Sequence, residues 1–291
     1  MMLKLSEDFR RGGDEILVKC CDGVELFHKL MKDTETNSAE MSMLLSDDFD
    51  LISSNPYKYL GNFFKFIHVT YIEKFKELSG DFIESINSKR YLTTALCGRS
   101  IIESTAALRY YNNAVMKKVK VSSGRELDGI DAEFLRDVFD LTNKHMRGSS
   151  MNWGGFFTAD KKTFVRELVK KEKRRLKKEA PVKYDFVKSI AVGKFLDSWF
   201  DDEPELVALA YNFFSELVHP NLGSNLLLIG TADGKVQVGR DSNRAAGKAV
   251  CREAVKFINP CLKEATFQLS QSLMFSWLGN EINNQPQSPM H

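Results

Sequence analysis

Over most of the chain, apolar residues return every three or four positions, the spacing of one face of a helix. The clearest run opens at Asn55-Pro56, where Asn suits a helix cap and Pro the first helical position. Leu60, Phe64, Ile67, Tyr71, Phe75, Leu78, Phe82 and Ile86 then fall on one stripe. Unbroken to Asn87, such a helix is about 45 Å long at about 1.5 Å per residue. A second helix over about Lys89 to Lys118 follows almost at once, so the pair reads as an antiparallel hairpin and the spine of the fold.

The same period places an N-terminal helix from Asp14 through Leu17, Cys20, Cys21, Val24, Phe27 and Met31, and leaves Thr34 to Ser54 mixed. After the spine, Asp131 to Met146 reads as helix with Phe134, Val138 and Leu141 inward, and Gly148 is its stop. The segment from Gly148 to Phe157 is loop-like, with Trp153 among glycines. Thr158 or Asp160 is placed to cap a basic helix that ends before Pro181. Tyr184 to Phe200 and Pro204 to His219 are two further helical patterns, the second with Leu206, Leu209, Ala210, Phe213 and Leu217 on its apolar face.

The period then changes. Leu226 to Gly230, Ala232-Asp233-Gly234 and the alternating Val236-Gln237-Val238 predict one small β-hairpin at about 225–239, because Asp-Gly supplies the positive φ of a tight turn. Helix resumes from about Ser242 through Trp277, with Pro260 expected to kink or split it. The polar, proline-bearing end, 280–291, is expected to be a disordered tail. The fold class expected is therefore all-α: a multi-helix bundle with a long antiparallel helical hairpin and one small β-hairpin insert, in a single helical domain over 1–279.

Composition narrows the class without naming a substrate. With 43% hydrophobic and 27% charged residues and a mean hydropathy of -0.29, the 291-residue chain has the make-up of an ordinary globular protein. A net charge of +2 gives no general argument for a nucleic-acid partner. No apolar run approaches a membrane span, and the start MMLKLSEDFRRGG lacks the apolar core of a secretory signal, so a cytoplasmic protein with no membrane partner is expected. The five cysteines form no CxxC pair, which fits reduced thiols rather than a zinc site. The absence of P-loop, GxGxxG, HExxH and GxSxG motifs lowers nucleotide hydrolysis, dinucleotide chemistry, zinc proteolysis and α/β-hydrolase chemistry together. No cofactor and no metal is implied.

Two polar groups interrupt the apolar pattern. At 100° steps Leu92, Leu96, Arg99, Glu103, Ala106 and Tyr110 share one narrow stripe of the second spine helix, so Arg99 and Glu103 are expected inside the bundle as an (i, i+4) pair. Ions there are either matched by each other, as a structural network, or used in a pocket. In YNFFSELVHPN, the residues Asn212, Ser215, Glu216 and His219 lie opposite the apolar face, either as a solvated surface or as a binding surface. Pro220 ends that helix at His219, where the helix dipole favours a cationic imidazole that, beside an arginine, suits an anion such as phosphate.

The pairing of CGRSIIESTAALRYY with YNFFSELVHPNLGSN, within about residues 85 to 240, resembles a group of uncharacterised bacterial proteins, often of mobile elements. These carry an Arg-x3-Glu helix and a Ser-Glu-x-x-His-Pro helix end, and are similar in turn to the HEPN class of helical bundles, several of them metal-independent ribonucleases of toxin and phage-defence systems. The resemblance implies that His219 matches the class histidine, which acts with an arginine on the scissile phosphate as the ribose 2'-hydroxyl attacks. The class arginine stands five to seven residues before its histidine, whereas Asn212, Phe213 and Phe214 stand here, so Arg99 would have to replace it from another helix.

The expected site is thus His219, Arg99 and Glu103 as catalytic groups, with Tyr110, Tyr211, Asn212, Ser215 and Glu216 around the ligand. Residues 160–179 hold ten Lys/Arg against four acids, and Lys170, Lys171, Lys173, Arg174 and Arg175 could contact nucleic acid or form a solvated face. His145 could border the pocket or simply end a helix. Asp201, Asp202, Glu203 and Glu205 could attract a cation or match a helix dipole. The function expected is an RNA- or phosphate-binding protein of a prokaryotic defence or mobile-element setting, a metal-independent ribonuclease in its sharpest form. The alternative is a non-catalytic interaction or regulatory protein; a homodimer or a partner protein is open in both.

Overall fold

The computed structural model describes residues 56–122, 137–138, 140–142, 144–145, 160–177, 190–220, 222–239 and 242–284. The expected N-terminal helix, the Gly148 to Phe157 loop and the chain after 284 lie outside them. Helix α1 is Pro56–Asn87, α2 Tyr91–Ser122, α3 Lys161–Leu176, α4 Val192–Phe200, α5 Pro204–Val218 and α6 Leu222–Leu226. Strands β1, Ile229–Ala232, and β2, Lys235–Val238, precede α7, Arg244–Asn284. The all-α bundle and its β-hairpin are as the sequence pattern requires.

The α1–α2 turn follows from local chemistry. Lys89 takes a left-handed φ of 56°, and the Arg90 N–H donates back to the Ser85 carbonyl at 2.7 Å, which closes the end of α1 in a Schellman-type turn. Inside the turn the Ser85 and Thr94 hydroxyls meet at 2.8 Å, so the two helices separate with their buried polar atoms satisfied. Phe64, Ile67, Tyr71, Phe75, Phe82 and Ile86 of α1 all face the core, and α7 lies against both spine helices. Fully burying a side chain such as Phe75 or Phe82 contributes about 1.5–3 kcal/mol.

A polar seam runs across α2 and α7. The Asn112 amide donates to the Gln268 carbonyl at 2.8 Å and side-chain oxygen at 2.9 Å. Gln268 donates to Glu264, which also accepts from Arg109 Nε at 2.9 Å. Arg109 further reaches Asp202 at 2.7 Å, tying the end of α4 to α2. Its side chain is only 13% exposed, and two carboxylates match its charge, as a desolvated ion requires.

Four expectations need adjustment. The helix before Phe200 starts at Val192, because Ala191 is extended, rather than running from Tyr184. On α5 the deeply buried residues are Val207, Ala210, Phe214 and Leu217, whereas Leu209 is exposed. Pro260 lies inside α7, which continues on both sides of it and packs on α1 and α2, so the proline does not split the helix. That helix runs to Asn284, past its expected end at Trp277 and into the expected tail. The hairpin is as expected: Asp233 and Gly234 have φ of 53° and 70°, the turn that matches strand twist.

Two core histidines make stability depend on pH. His68 bonds Ser272 at 2.7 Å, His145 bonds Tyr71 at 2.9 Å, and desolvation lowers both imidazoles from 6.5 to about 4. The unfolded chain binds protons that the fold refuses, so stability is full above about pH 6.5 and drains as pH falls toward 4. Urea unfolding at pH 7.5 and pH 5 should differ by about 2 kcal/mol for each histidine, the acidic sample being weaker. Replacing either by glutamine should remove its share of that slope; an unchanged slope in both variants would contradict the assignment.

Candidate functional site

The site is built where α5 crosses α2. Gly98 makes the crossing possible: a Cβ there would lie 2.2 Å from the buried Phe214 ring, so the helices approach only because that position carries no side chain. One residue further along α2, Arg99 reaches Glu103 and α5 together. Arg99 Nε donates to Glu103 Oε1 at 2.8 Å, and Arg99 Nη2 donates to the Tyr211 hydroxyl at 3.1 Å. That hydroxyl also donates to Glu103 Oε1 at 3.5 Å, and the guanidinium carbon lies 5.3 Å from the Tyr211 ring centroid. Arg99 Nη1 stands 3.5 Å from His219 Nε2.

Each position has a local cause. Arg99 and Glu103 are one helical turn apart, the spacing at which opposite charges meet. Tyr211, Ser215 and His219 are successive turns of α5, which stops because Pro220 excludes helical geometry from His219; that residue is extended, with φ -78° and ψ 149°. The hydrogen bond to Glu103 raises the Arg99 pKa above its ordinary value, so the guanidinium is permanently charged and held by its neighbours.

The structure corrects the expectation of a sequestered ion pair. Arg99 and Glu103 side chains are 26% and 27% exposed, and Leu96 on the same stripe is 55% exposed. From Leu96 to Glu103 the stripe lies at the margin of the bundle, although Ala106 further along is fully buried; Arg109 on the same helix is the more deeply buried cation. A pair about a quarter exposed costs less to desolvate than a sequestered one and leaves a face open to a ligand.

The other expected residues divide. Ser215 Oγ is buried without a hydrogen-bond partner among the described residues, one turn from His219. Asn212 is exposed on α5, and Glu216 packs against Gly223 of α6 rather than joining Arg99. Tyr110 meets Phe195, at 5.3 Å between ring centroids, and Lys194, and does not join the Arg99 group among the described contacts.

On α3, Asp160 caps as expected by accepting from the Thr163 N–H at 3.1 Å. Lys170 and Lys173 are exposed, Lys171 and Arg174 are half-buried, and the Arg175 side chain lies outside the described set. With Val165 and Val169 also exposed, this helix presents a basic surface with an apolar strip, and none of its cations bonds to the Arg99 group among the described contacts. Of the acids at 201–205, Asp202 is matched to Arg109 and Glu203 accepts from the Trp199 indole at 3.4 Å; no group of metal-ligating side chains occurs among the described residues. Cys97, Cys251 and Cys261 are unpaired and buried. No described helix is long and apolar enough to cross a membrane.

Together the fold and site define a helical bundle with an Arg–Glu–Tyr–His group assembled across two helices. Comparison of the chain with family models, with curated proteins and with solved structures gave no match.

The Gly98 contact sets a clear test. On an open helix surface, Gly98→Ala would stabilise by about 1 kcal/mol through helix propensity. Against Phe214 it should instead destabilise by about 1–3 kcal/mol, and Phe214→Leu in the same chain should recover part of that loss. Stabilisation by Gly98→Ala in urea unfolding would show that the helices are not in contact there.

Proposed function

We propose that the Arg99–His219 group binds a phosphodiester of RNA and cleaves the strand without a metal ion, as a ribonuclease of a prokaryotic defence or mobile-element setting. The observation that carries this reading is the 3.5 Å approach of Arg99 Nη1 to His219 Nε2 at an exposed edge. Arg99 Nε and Nη2 are held by Glu103 and Tyr211, so the guanidinium is oriented before a ligand arrives, and Nη1 is left toward the imidazole. An anion resting there would meet a fixed cation and a group able to exchange a proton.

In the reaction, Arg99 holds the scissile phosphate and balances its developing charge. His219 takes the proton of the ribose 2'-hydroxyl while that oxygen attacks phosphorus. The P–O5' bond breaks, and the imidazolium returns the proton to the departing 5'-oxygen. The products are a 2',3'-cyclic phosphate and a 5'-hydroxyl end. Glu103 and Tyr211 are positioning residues. The basic surface of α3 offers strand contacts away from the cut.

A second reading also has an observation behind it: Arg99 already has hydrogen-bond partners in Glu103 and Tyr211, as it would in a purely structural network within an interaction protein. Incubation with mixed RNA in EDTA separates the two. The first reading predicts cyclic-phosphate products, lost by about a hundredfold or more in His219→Ala with helical circular dichroism unchanged. It also predicts that RNA binding weakens with salt and that replacing Lys170, Lys173 and Arg174 by glutamine flattens that slope. Intact RNA under all these conditions would leave the structural network.

A further inference from the structure

Glu103 has a second neighbourhood. Where α1, α2, α4 and residues 144–145 meet, a cleft of about 340 Å³ opens, and Glu103 forms part of its wall. This size is at the small end of organic-ligand sites, which run from about 300 to 1,000 Å³, and is larger than a bare anion needs.

The chemistry of the wall is uneven. Lys74 and Lys144 stand at the cleft, and neither makes an ion pair among the described residues. Glu103 is the only carboxylate of the wall among the described residues, and it accepts from Arg99 at 2.8 Å. A ligand entering here therefore meets two cations that have no ion-pair partner among the described residues, Lys74 lying over the Tyr71 ring at 5.8 Å. Crowding by the protein lowers the Lys74 pKa, an effect opposed by the nearby Glu103, so an anion beside that ammonium would gain more than one at an open surface.

The rest of the wall fits an organic body. Leu78, Val192 and Phe195 supply apolar and aromatic surface, and Ser100 and Ser104 supply hydroxyls. His145 also borders the cleft; its Nε2 bonds the Tyr71 hydroxyl, and its Nδ1 is enclosed without a hydrogen-bond partner among the described residues.

We propose that this cleft binds a nucleoside monophosphate unit, with its phosphate against Lys74 and Lys144 and its base against Phe195. The two lysines call for a phosphate, and the remaining volume, aromatic face and hydroxyls call for the nucleoside. The site is separate from the Arg99–His219 pair and stands whether or not that pair cleaves RNA. The same unit could arrive as a free mononucleotide or as the 5'-phosphorylated end of an RNA strand.

The full chain is titrated calorimetrically with AMP, adenosine and inorganic phosphate. AMP should bind once per chain, about tenfold or more tighter than either fragment, and weaken about tenfold or more in Lys74→Glu and in the exposed Lys144→Glu. Ala107→Leu, which narrows the cleft without changing charge, should weaken AMP as well, and circular dichroism checks that each variant folds. His219→Ala should bind AMP as the wild type does, so AMP binding with uncut RNA would sink the cleavage reading and leave this one standing. A short 5'-phosphorylated RNA binding tighter than AMP identifies the strand end as the source, and the reverse identifies the free nucleotide. No saturable AMP binding, equal affinity for inorganic phosphate, or wild-type affinity in both lysine variants would overturn the proposal.

Discussion

How near α5 can come to α2 is decided by a side chain that is missing. Gly98 admits the Phe214 ring where a methyl group would collide with it, and that contact brings the end of α5 over the next turn of α2. Arg99 then lies within reach of Tyr211 and His219, which are 112 and 120 residues away along the chain. Packed interiors transmit such displacements because their side chains have little free volume to absorb them. A shift of α5 large enough to accommodate a methyl group would exceed what a 3.1 Å hydrogen bond tolerates.

The ionic groups of the bundle differ in what surrounds them, and that separates scaffold from site. Arg109 is locked by Glu264 and Asp202 on the seam between α2, α4 and α7, where an unmatched charge would be expensive. Arg99 stands at the margin, with two of its nitrogens held and the third facing an exposed imidazole. Lys74 and Lys144 have no ion-pair partner among the described residues. The gradient from matched core ions to unmatched cations around a cleft follows the rule that charge is tolerated inside only when paired and left open only where water, or a ligand, can reach it.

Much of this architecture is written in period. The α1 stripe from Phe64 to Ile86 faces a single core, so a helical wheel reads it well, and Asp233-Gly234 names its turn because few residues accept positive φ. Helix α2 is harder: it is packed by α1, α4, α5 and α7, and a helix covered on several sides has no single apolar stripe from which to tell centre from margin. That is why a helical wheel sets Arg99 and Glu103 inside the bundle and does not single out Arg109. The meeting of Arg99 with His219 was reached through residue chemistry and the family resemblance, since no local pattern encodes a contact between distant helices. The cleft around Lys74 and His145 was nearly invisible, because its residues come from four separate segments with no shared spacing; the histidine at the end of an apolar helix was the one local sign.

The most direct test of the account is nitrogen NMR of the Arg99 guanidinium and the His219 ring during titration with a non-cleavable dinucleotide bearing a 2'-methoxy group. If the two groups form one phosphodiester site, both sets of resonances move along a single binding curve, and the Glu103→Gln variant, which loosens Arg99, weakens that curve for both. Movement of one group without the other, or of neither at saturating ligand, would contradict a shared site.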